Sequence, residues 1–327
     1  MRIVDLSVVI VTYNAAGFLQ RCLGSLAQHT AGLSCETIVV DNASSDETCA
    51  VVQSSWPGVR LLQNRVNTGF AAANNAGIRE AVGRYVLLLN PDTEILAGTL
   101  QGCLRFMDDH PGVGIAGCRL LLPDGSVQQS VRSFPSVLNL FSEATFLYLA
   151  FPQSRVFGRY YMSFFDYSCP AEVDWVSGAF FLIRRDVIDR IGVLDERFFM
   201  YSEELDYCRR ASHAGFTVMY TPAGTVNHFW GGVNAVNRNV ILWTNASQIL
   251  YIKKHHKGLE RLVMLLAKNL GLLLRVPIYA AIGIVKADRL WLKKSAYVLT
   301  SFRQLVLGPM EYGPSFRPHD ALSKVTG

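Results

Sequence analysis

The chain has 327 residues, of which half are hydrophobic and only 17% are charged. This length allows one large α/β domain with an extension, or two domains. The apolar composition excludes an intrinsically disordered protein and points towards contact with a membrane surface. The net charge of +5 is mild and the basic residues form no block interleaved with aromatics, which argues against a nucleic-acid partner.

The cysteines and the N-terminus predict a cytoplasmic location. The seven cysteines contain no C-x-x-C pair and no spacing typical of a zinc site, which predicts buried thiols in a reducing compartment. The chain runs from Met1 into a strand pattern, without the basic region, apolar core and cleavage site of a secretory signal.

Strand and helix patterns alternate in the first part of the chain. Strands are predicted at residues 6–11, 36–40, 59–62 and 85–89. This alternation predicts a mostly parallel sheet with helices on both faces, and right-handed crossovers then bring the C-terminal strand ends to one edge. The loop sequences TYN, DNASSD, NTGF and NPD follow these strands or open the next helix, so we expect them to share one crevice.

The strand at residues 85–89 ends abruptly in Asn90, Pro91 and Asp92. Taken alone, an NPD sequence is more typical of a turn than of a ligand site, because these residue types dominate turns. Its predicted position beside the other loops reverses that preference, since open α/β sheets bind ligands at the C-terminal ends of their strands. A carboxylate placed there can hold a divalent cation against a diphosphate.

The NTGF loop and the helix after it supply further candidates. Gly69 lets the backbone approach a ligand closely, while Asn67 and Asn74 carry amides that can bond a ribose or a phosphate. Neither a G-x-G-x-x-G fingerprint nor a Walker lysine is present in these loops, which excludes ordinary dinucleotide and P-loop sites.

Residues 198–210, FFMYSEELDYCRR, are the richest acidic segment of the chain. Glu203, Glu204 and Asp206 lie at the predicted start of a helix, where carboxylates stabilise the helix dipole, so a structural role is one interpretation. The other interpretation is a general base, because a carboxylate crowded by like charges can have a raised pKa. Further strands are predicted at residues 113–122, before a Pro-Asp-Gly turn, and at residues 217–221.

The succession VIVTYN, VVDNASSD, NTGFAAANNAG and LLLNPDT resembles the nucleotide-sugar-binding half of glycosyltransferase family 2, whose members are inverting enzymes with the GT-A fold. The resemblance extends roughly to residue 230, and the NPD ending is typical of the rhamnosyltransferase-like branch. It implies that the nucleobase and ribose pocket is lined by Thr12, Tyr13, Asn14, Asp41 and Asn42.

The same resemblance implies the rest of the donor site. Asn67, Gly69 and Asn74 would flank the nucleotide. Asn90 and Asp92 would form a degenerate D-x-D motif, in which Asn90 replaces the first acid and Asp92 binds Mg²⁺ or Mn²⁺.

The acidic segment resembles the family motif F-x-x-x-E-D-x-D-x-x-x-R, whose Asp after the Glu is the catalytic base. That position is Glu204 here. Because a glutamate is longer by one methylene, Glu203 stays an alternative base, and Asp206 would orient the loop. The family also has a histidine before a Gly-containing loop, which implies that His228 binds the metal or the diphosphate.

Residues 172–185 predict a bend followed by a strand. An aromatic residue at such a bend suits stacking on a sugar face, and a core tryptophan is the alternative. The family has a similar W-x-x-G-A segment, so the resemblance implies that Trp175 and Gly178 contact the acceptor.

Two apolar stretches suggest membrane contact. Residues 136–151 are too short to span a bilayer and predict either a packed helix or an interfacial segment. Residues 259–285 follow a basic run and contain Lys268, Arg275 and Pro277, and these charges and the break expected at the proline argue against a spanning helix. Interfacial helices on an anionic inner leaflet are predicted, with packing against the catalytic domain or a dimer contact as the alternative.

The sequence therefore predicts an α/β protein with a GT-A catalytic domain at residues 1–240, divided into a donor half (1–125) and an acceptor half (126–240). A helical extension follows at residues 241–327, for membrane contact or oligomerisation. The expected activity is metal-dependent, inverting transfer of a sugar from a nucleotide-diphosphate donor, with dTDP-rhamnose as the first candidate, to a saccharide or polyprenyl-linked glycan. We expect a peripheral location on the inner face of the cell membrane.

Two alternatives stay open. A sugar-nucleotide nucleotidyltransferase would need a basic, glycine-rich phosphate loop after the first strand, and TYNAAG has no basic residue. An inactive carbohydrate-binding or scaffold protein would not need the full set of Asp41, Asp92, Glu204 and His228.

Overall fold

A computed structural model describes residues 4–229 and 238–303, and within them nine strands form one large sheet and two form a small one. The strands are β1 Leu6–Thr12, β2 Cys35–Asp41, β3 Arg60–Gln63, β4 Tyr85–Leu89, β5 Thr93–Ile95, β6 Val113–Leu121, β7 Val131–Arg132, β8 Ala171–Glu172, β9 Trp175–Val176, β10 Phe180–Arg184 and β11 Thr217–His228. The helices are α1 Ala16–His29, α2 Thr48–Ser55, α3 Phe70–Glu80, α4 Thr99–Asp109, α5 Val137–Ala144, α6 Leu147–Ala150, α7 Arg185–Ile191, α8 Glu203–His213, α9 Arg238–His255, α10 Gly258–Val285 and α11 Arg289–Phe302.

The large sheet has the order β3-β2-β1-β4-β10-β6-β11-β5, with β8 paired to β11. Strands β1 to β4 are mutually parallel, β11 is parallel to β6, and β10 runs antiparallel between β4 and β6. This arrangement confirms the predicted α/β fold with a mostly parallel sheet. Because β10 is antiparallel, its start lies beside the end of β4, and β11 ends at the same edge. The predicted strand at residues 217–221 is the first part of β11, which continues past a bulge to His228.

The central strands β1 and β4 are buried along their whole length and mostly apolar because helices cover the sheet on both faces. Alternate residues of β1 enter two different cores: Leu6, Val8 and Ile10 pack with α1, whereas Val9 and Val11 pack with α3. Small residues in α3 permit this second contact. A Cβ atom added at Gly77 would lie only 2.4 Å from Val9 Cγ1.

Helix α9 packs directly on the acidic segment at residues 198–210. Its Leu250 and Tyr251 are buried in a cluster with Phe198, the first residue of the acidic segment, and Leu205, which lies within that segment. Helix α10 packs against α5 and α11, and Met264 of α10 is buried with Leu140 of α5. The described part of the extension is therefore continuous with the core of the preceding residues.

The expected break at Pro277 is wrong, because α10 continues through it. A proline removes the hydrogen bond to the carbonyl four residues earlier, here that of Leu273. Leu273 and Pro277 are both exposed, so this carbonyl lies on the outer side of the helix where water can solvate it. Among the described helices, α10 is the one that is long and apolar enough to cross a membrane by length and composition, and 22% of its most apolar window is buried.

Candidate active site

The loops after β1 and β2 are joined by hydrogen bonds. Asn14 has a left-handed backbone conformation, with φ of 50°, and its N–H donates to Ser44 Oγ at 2.8 Å. The Ser45 N–H in turn donates to Asn14 Oδ1 at 2.7 Å. The TYN and DNASSD sequences therefore form one rigid wall at the edge of the sheet.

Two buried polar atoms in this wall have no internal partner. Asp41 accepts a hydrogen bond from the Ser44 N–H through Oδ2, but its Oδ1 and the Thr12 hydroxyl find no hydrogen-bond partner within the part of the chain that the structure describes. Buried polar atoms are almost always satisfied in folded proteins. These two atoms, with the exposed ring of Tyr13 beside them in the sequence, suit a ligand that carries both a hydrogen-bonding edge and a flat face.

Asn42 holds the NTGF loop in place. Its side-chain nitrogen donates to Asn67 Oδ1 at 2.9 Å and to the Gly69 carbonyl at 3.2 Å. Its side-chain oxygen accepts from the Thr68 N–H and from Asn64 Nδ2, both at 3.0 Å. These bonds use the polar capacity of Asn42, so it contributes to a donor pocket by positioning the loop.

Asn74 and Asn90 are also tied to their own surroundings. The Asn74 amide is buried and donates to the Phe70 carbonyl at 2.9 Å, one turn earlier in α3. The Asn90 N–H donates to the Ala179 carbonyl at 3.1 Å, which joins the NPD loop to the segment before β10. The half-buried Asn90 side chain lies at the end of β4.

Gly69 brings the NTGF loop against the acidic segment. The Phe70 N–H donates to the Phe199 carbonyl at 2.7 Å, and a Cβ atom added at Gly69 would lie 2.4 Å from that same oxygen. The backbone φ of Gly69 is +86°, which side chains rarely adopt. Only a glycine allows this approach, which locks the donor-side loop to the chain that leads into α8.

Asp92 and His228 meet at the same edge. Asp92 Oδ1 lies 3.4 Å from His228 Nε2, and the other ring nitrogen, Nδ1, lies 2.7 Å from Gln128 Oε1. The Gln128 side chain therefore orients the His228 ring so that Nε2 is directed towards Asp92. The Phe229 N–H donates to the Asp92 carbonyl at 2.9 Å and fixes the two segments together.

This pair fits a divalent cation. The Asp92 carboxylate oxygen and the His228 imidazole nitrogen, 3.4 Å apart, are ligand types that bind divalent cations. A hydrogen-bonded second ring nitrogen is the usual support of a metal-binding histidine. The described residues contain no cluster of three or more His, Cys, Asp or Glu side chains suited to a metal, so further ligands would come from phosphate oxygens and water. Gln128 was not found from the sequence, because it carries no motif signal.

Glu203 and Glu204 begin α8 as a buried, interacting pair. The Oε2 atoms of both are shielded from solvent and have no hydrogen-bond partner among the described residues. Burial raises the pKa of Glu203 well above its ordinary value, and the neighbouring Glu204 charge raises it further. Burial also raises the pKa of Glu204, while hydrogen bonds from its own backbone, from Glu203 and from the Gly178 backbone oppose that rise. Both carboxyls are therefore easier to protonate than an ordinary glutamate, and the Gly178 backbone favours a charge on Glu204.

Gly178 lies beside Glu204, and Trp175 lies further into the protein. A Cβ atom added at Gly178 would be 3.9 Å from Glu204 Oε1 and 3.7 Å from the Phe70 ring. The Trp175 indole N–H donates to the Ser133 carbonyl at 3.1 Å, and its half-buried ring packs against the cluster that contains Phe198. The structure thus brings Gly178, but not the polar edge of Trp175, to the carboxylate pair.

Asp206 faces away from the carboxylate pair, into α9. It is fully buried and lies 2.6 Å from Lys254 Nζ, 2.7 Å from His255 Nε2 and 2.9 Å from Arg210 Nε. Burial alone would raise the pKa of Asp206, but its bonds to His255 and Lys254 outweigh burial and lower the pKa. Asp206 therefore fixes α8 in position, in keeping with the orienting role expected for it.

A second feature that was not found from the sequence is a cavity of about 420 Å³ at the start of α1. It is lined by Asn14, Ala15, Ala16, Gly17, Phe18, Arg21 and Asp46. The Arg21 guanidinium lies 4.5 Å from the centre of the Phe229 ring, the residue after His228. Arg21 thus supplies a cation to this part of the edge, and a lone arginine one turn into a helix gave no sign of it.

Comparison with known proteins agrees with this geometry. Residues 7–192 match the sequence pattern described as Glycosyl transferase family 2. The chain belongs to that family. This confirms the resemblance drawn from the loop sequences, and it makes the protein a glycosyltransferase.

Two curated relatives are rhamnosyltransferases. The N-acetylglucosaminyl-diphospho-decaprenol L-rhamnosyltransferase of Mycobacterium tuberculosis is 32% identical over 236 residues, which cover 68% of this chain and 75% of the relative. The rhamnosyltransferase WbbL of Escherichia coli K12 is 26% identical over 233 residues, which cover 68% of this chain and 82% of the relative.

Solved structures share the fold. The mannosyltransferase PcManGT of Pyrobaculum calidifontis, in complex with GDP-Man and Mn²⁺, has a TM-score of 0.55 at 15% identity and covers 95% of this chain and 89% of that one. GalNAc-T7 with UDP, GalNAc and Mn²⁺ has a TM-score of 0.57 at 15% identity and covers 77% of this chain and 48% of that one. At these identities the likeness concerns the GT-A fold alone.

Proposed function

We propose that this glycosyltransferase moves a sugar from a nucleotide-diphosphate donor to a hydroxyl group of a saccharide or lipid-linked saccharide, with inversion at the anomeric carbon. The observation that carries the proposal is the placement of a candidate metal-binding pair, Asp92 and His228, and a buried carboxyl pair, Glu203 and Glu204, at one edge of the sheet. A single displacement needs both a site for the departing diphosphate and a base for the attacking hydroxyl.

The donor nucleotide would lie on the wall formed by the TYN and DNASSD loops. The Thr12 hydroxyl and Asp41 Oδ1, which have no hydrogen-bond partner among the described residues, would bond the nucleoside, and Tyr13 would offer its exposed ring for stacking. Four asparagines would contribute by fixing the loop conformations through hydrogen bonds: Asn14, Asn42, Asn67 and Asn74. Asn90 at the strand end and Gly69, which permits close approach, would flank the nucleotide.

Asp92 and His228 would hold Mg²⁺ or Mn²⁺ together with the donor's phosphate oxygens. When bound, such an ion neutralises the negative charge that develops on the leaving diphosphate. Gln128 would keep the His228 ring oriented towards the site. Arg21, near Phe229, would add a positive charge on the same side.

Glu204 would remove the proton from the acceptor hydroxyl as its oxygen attacks the anomeric carbon. Its charge would be favoured by the Gly178 backbone and by a proton on Glu203, while burial keeps Glu204 basic enough to accept a proton. Gly178 leaves room for an acceptor beside the carboxylate. Trp175 would support that segment, and Asp206 would position the helix that carries both glutamates.

The names of the relatives support rhamnose as the first donor sugar to test, with dTDP-rhamnose as the donor, and a polyprenyl-linked glycan as the first acceptor. We place the catalytic domain at residues 1–240, with donor residues before and acceptor residues after about residue 125, and the extension at residues 241–327. Activity on a lipid-linked acceptor accords with a peripheral location on the inner face of the cell membrane.

The test is donor binding by the full chain in the presence of Mg²⁺ or Mn²⁺. A panel of nucleotide sugars should yield at least one that raises the melting temperature and is slowly hydrolysed. Asp92→Asn should abolish the metal-dependent part of both effects, whereas Asp109→Asn, at the exposed end of α4, should leave them intact. If no donor changes the melting temperature or is consumed, the proposed transfer is wrong.

A further inference from the structure

Helix α10 exposes apolar side chains on its outward face, whereas an ordinary surface helix exposes polar ones. Its outward face is an unbroken apolar stripe that covers roughly 39 Å at 1.5 Å per residue. The exposed large side chains of this stripe are Leu259, Leu262, Leu266, Leu270, Leu273, Ile284 and Val285. Leu259 is 75% exposed and Val285 is 85% exposed, so the described part of the chain leaves both ends of the stripe uncovered. Soluble proteins seldom expose an apolar surface of this size without a partner.

The two cations in the middle of α10 point inward. Lys268 Nζ lies 3.9 Å from Glu143 Oε1 of α5, and Arg275 Nη2 lies 3.3 Å from the same oxygen. Gly271 brings the two helices together, since an added Cβ atom would lie 3.1 Å from Ala144 Cα. The two charges that argued against a spanning helix in the sequence are therefore paired on the side that packs against the protein.

The surroundings of the stripe are basic. Exposed cations stand near both ends of α10: Lys257, Arg261, Lys286, Arg289 and Lys293. The nearby acids are engaged, because Glu260 pairs with His256 at 3.1 Å and Asp288 caps α11 by accepting from the Leu290 N–H at 2.8 Å. The apolar stripe thus has a net positive rim.

We propose that the outward face of α10 is seated in the headgroup region of an anionic phospholipid bilayer, with the helix parallel to the membrane plane. A basic rim around an apolar helix face is the composition that binds anionic lipid interfaces. A second copy of the chain fits less well, because either orientation of two α10 helices brings cationic ends against cationic ends. The exposed Leu138 and Phe141 of α5, the helix packed beside α10, extend the apolar surface.

Two features favour an in-plane helix over a spanning one. The inner face of α10 is occupied by α5 and α11, so a spanning α10 would take the exposed lysines of α11 and the Glu143 ion pairs into hydrocarbon. The Leu273 carbonyl, deprived of its helical partner by Pro277, also faces outward and needs water. Both requirements are met at headgroup depth.

The inference rests on the membrane location in the proposed function and is independent of the donor. Its test is co-sedimentation of the full chain with vesicles of equal parts phosphatidylcholine and phosphatidylglycerol, without nucleotide sugar. The triple variant Leu262→Gln, Leu266→Gln and Leu273→Gln removes apolar contact without changing charge, and we expect it to lower the partition coefficient at least ~10-fold. Val82→Gln, at a 68% exposed valine between α3 and β4, is the matched control and should partition like the wild type.

Three further measurements separate the outcomes. Vesicles of phosphatidylcholine alone should bind the wild type more weakly, and added salt should weaken binding to the anionic vesicles. The melting temperature of the triple variant tests whether it is folded. If it is unfolded, the single variant Leu266→Gln is used in its place, and we expect it to partition into vesicles less strongly than the wild type. Light scattering without lipid should show the same mass for wild type and variant.

Unchanged vesicle binding by a folded triple variant would overturn the inference. A wild-type dimer that the variant converts to a monomer would overturn it in favour of a second copy. Because no donor is present, loss of the vesicle pattern leaves donor binding untouched. Conversely, if the protein binds vesicles as expected but binds no nucleotide-sugar donor, only the proposed sugar transfer would be contradicted.

Discussion

At the scale of single residues, the carboxylate pair at the start of α8 carries the proposed chemistry. Glu203 and Glu204 differ in surroundings although they are adjacent: the Gly178 backbone helps to stabilise a charge on Glu204, whereas the charge of Glu204 disfavours one on Glu203. One proton shared by two buried carboxyls belongs on the residue with fewer donors. This asymmetry favours Glu204 as the base, which sequence resemblance alone left open.

Substitution of each glutamate in turn tests this assignment. Glu204→Gln should lower the rate of sugar transfer by about 10²–10⁴-fold, since it removes a general base, and should leave donor affinity unchanged. Glu203→Gln keeps a hydrogen-bond donor next to Glu204, so we expect a smaller loss and a shift of the acidic limb of the pH–rate profile to lower pH. Rates from pH 4 to 9, with donor affinity by calorimetry, separate the two; the reverse pattern would make Glu203 the base.

Glu203 also predicts a pH-dependent change in stability. Its folded-state pKa is raised, so its favourable contribution is complete below the unfolded pKa of about 4.3 and is lost as the pH rises through the folded pKa. Glu203→Gln should therefore raise the melting temperature at neutral pH, by an amount that shrinks towards zero near pH 4. Glu47→Gln, at an exposed and unpaired position, is the control, and an equal gain in both variants would contradict the buried proton.

At the scale of elements, α9 and α8 are joined by a buried cluster of charges. Lys254 of α9 lies 2.7 Å from Asp195 and 2.6 Å from Asp206, and His255 contacts the same Asp206 oxygen. The basic run at residues 253–258 therefore turns two of its side chains inward, where they hold the catalytic helix. Membrane contact through this basic run would therefore have to use its side chains other than Lys254 and His255.

Lys254→Met should destabilise the protein by about 2 kcal/mol, because Asp206 and Asp195 lose the cation that they share, although Arg210, His255 and Arg197 still contact them. Burial tends to raise the pKa of Asp195, but bonds from Arg197 and Lys254 lower it, so the wild type should lose this stabilisation as the pH falls into the acid range. Urea unfolding measures the change. The exposed Lys257→Met should cost less than ~0.5 kcal/mol, and equal costs would show that the cluster adds nothing.

The sequence was sufficient for the order of the first strands and helices, because β1 and β4 are unbroken apolar runs and their loops carry known turn and ligand residues. It did not show that Asn42 would be fully used inside the protein, or that Gln128 would support His228. Those roles depend on contacts between residues far apart in the chain. The sequence also did not predict that Lys268 and Arg275 point inward, because the helical periodicity of a sequence does not show which face of the helix packs against the protein.

At the scale of the whole molecule, α9 belongs with the catalytic residues and α10 begins the peripheral part. Leu250 and Tyr251 of α9 complete the cluster around Phe198, whereas α10 and α11 pack mainly on each other and on α5. We therefore propose that α9, although it follows residue 240, functions together with the catalytic domain.

Two truncations test that boundary. A chain ending at Lys257 should remain folded and keep donor-induced stabilisation, but should lose vesicle binding. A chain ending at residue 240 uncovers the cluster around Phe198 and deprives Asp206 of Lys254 and His255, so we expect it to be insoluble or to bind no donor. Both are compared by soluble yield and by melting with and without donor; a stable, donor-binding 1–240 fragment would restore the earlier boundary.

The antiparallel strand β10 also affects how the protein is made. It lies between β4 and β6, and its register joins Phe180 to Leu89 and Leu182 to Ala116. During synthesis, β4 therefore has an unpaired backbone edge and apolar side chains until the ribosome has released β10, many residues later in the chain. Such an edge is open to pairing with other nascent chains. The order of synthesis thus gives this enzyme an interval in which an unpaired strand edge is exposed, and that interval ends when β10 enters the sheet.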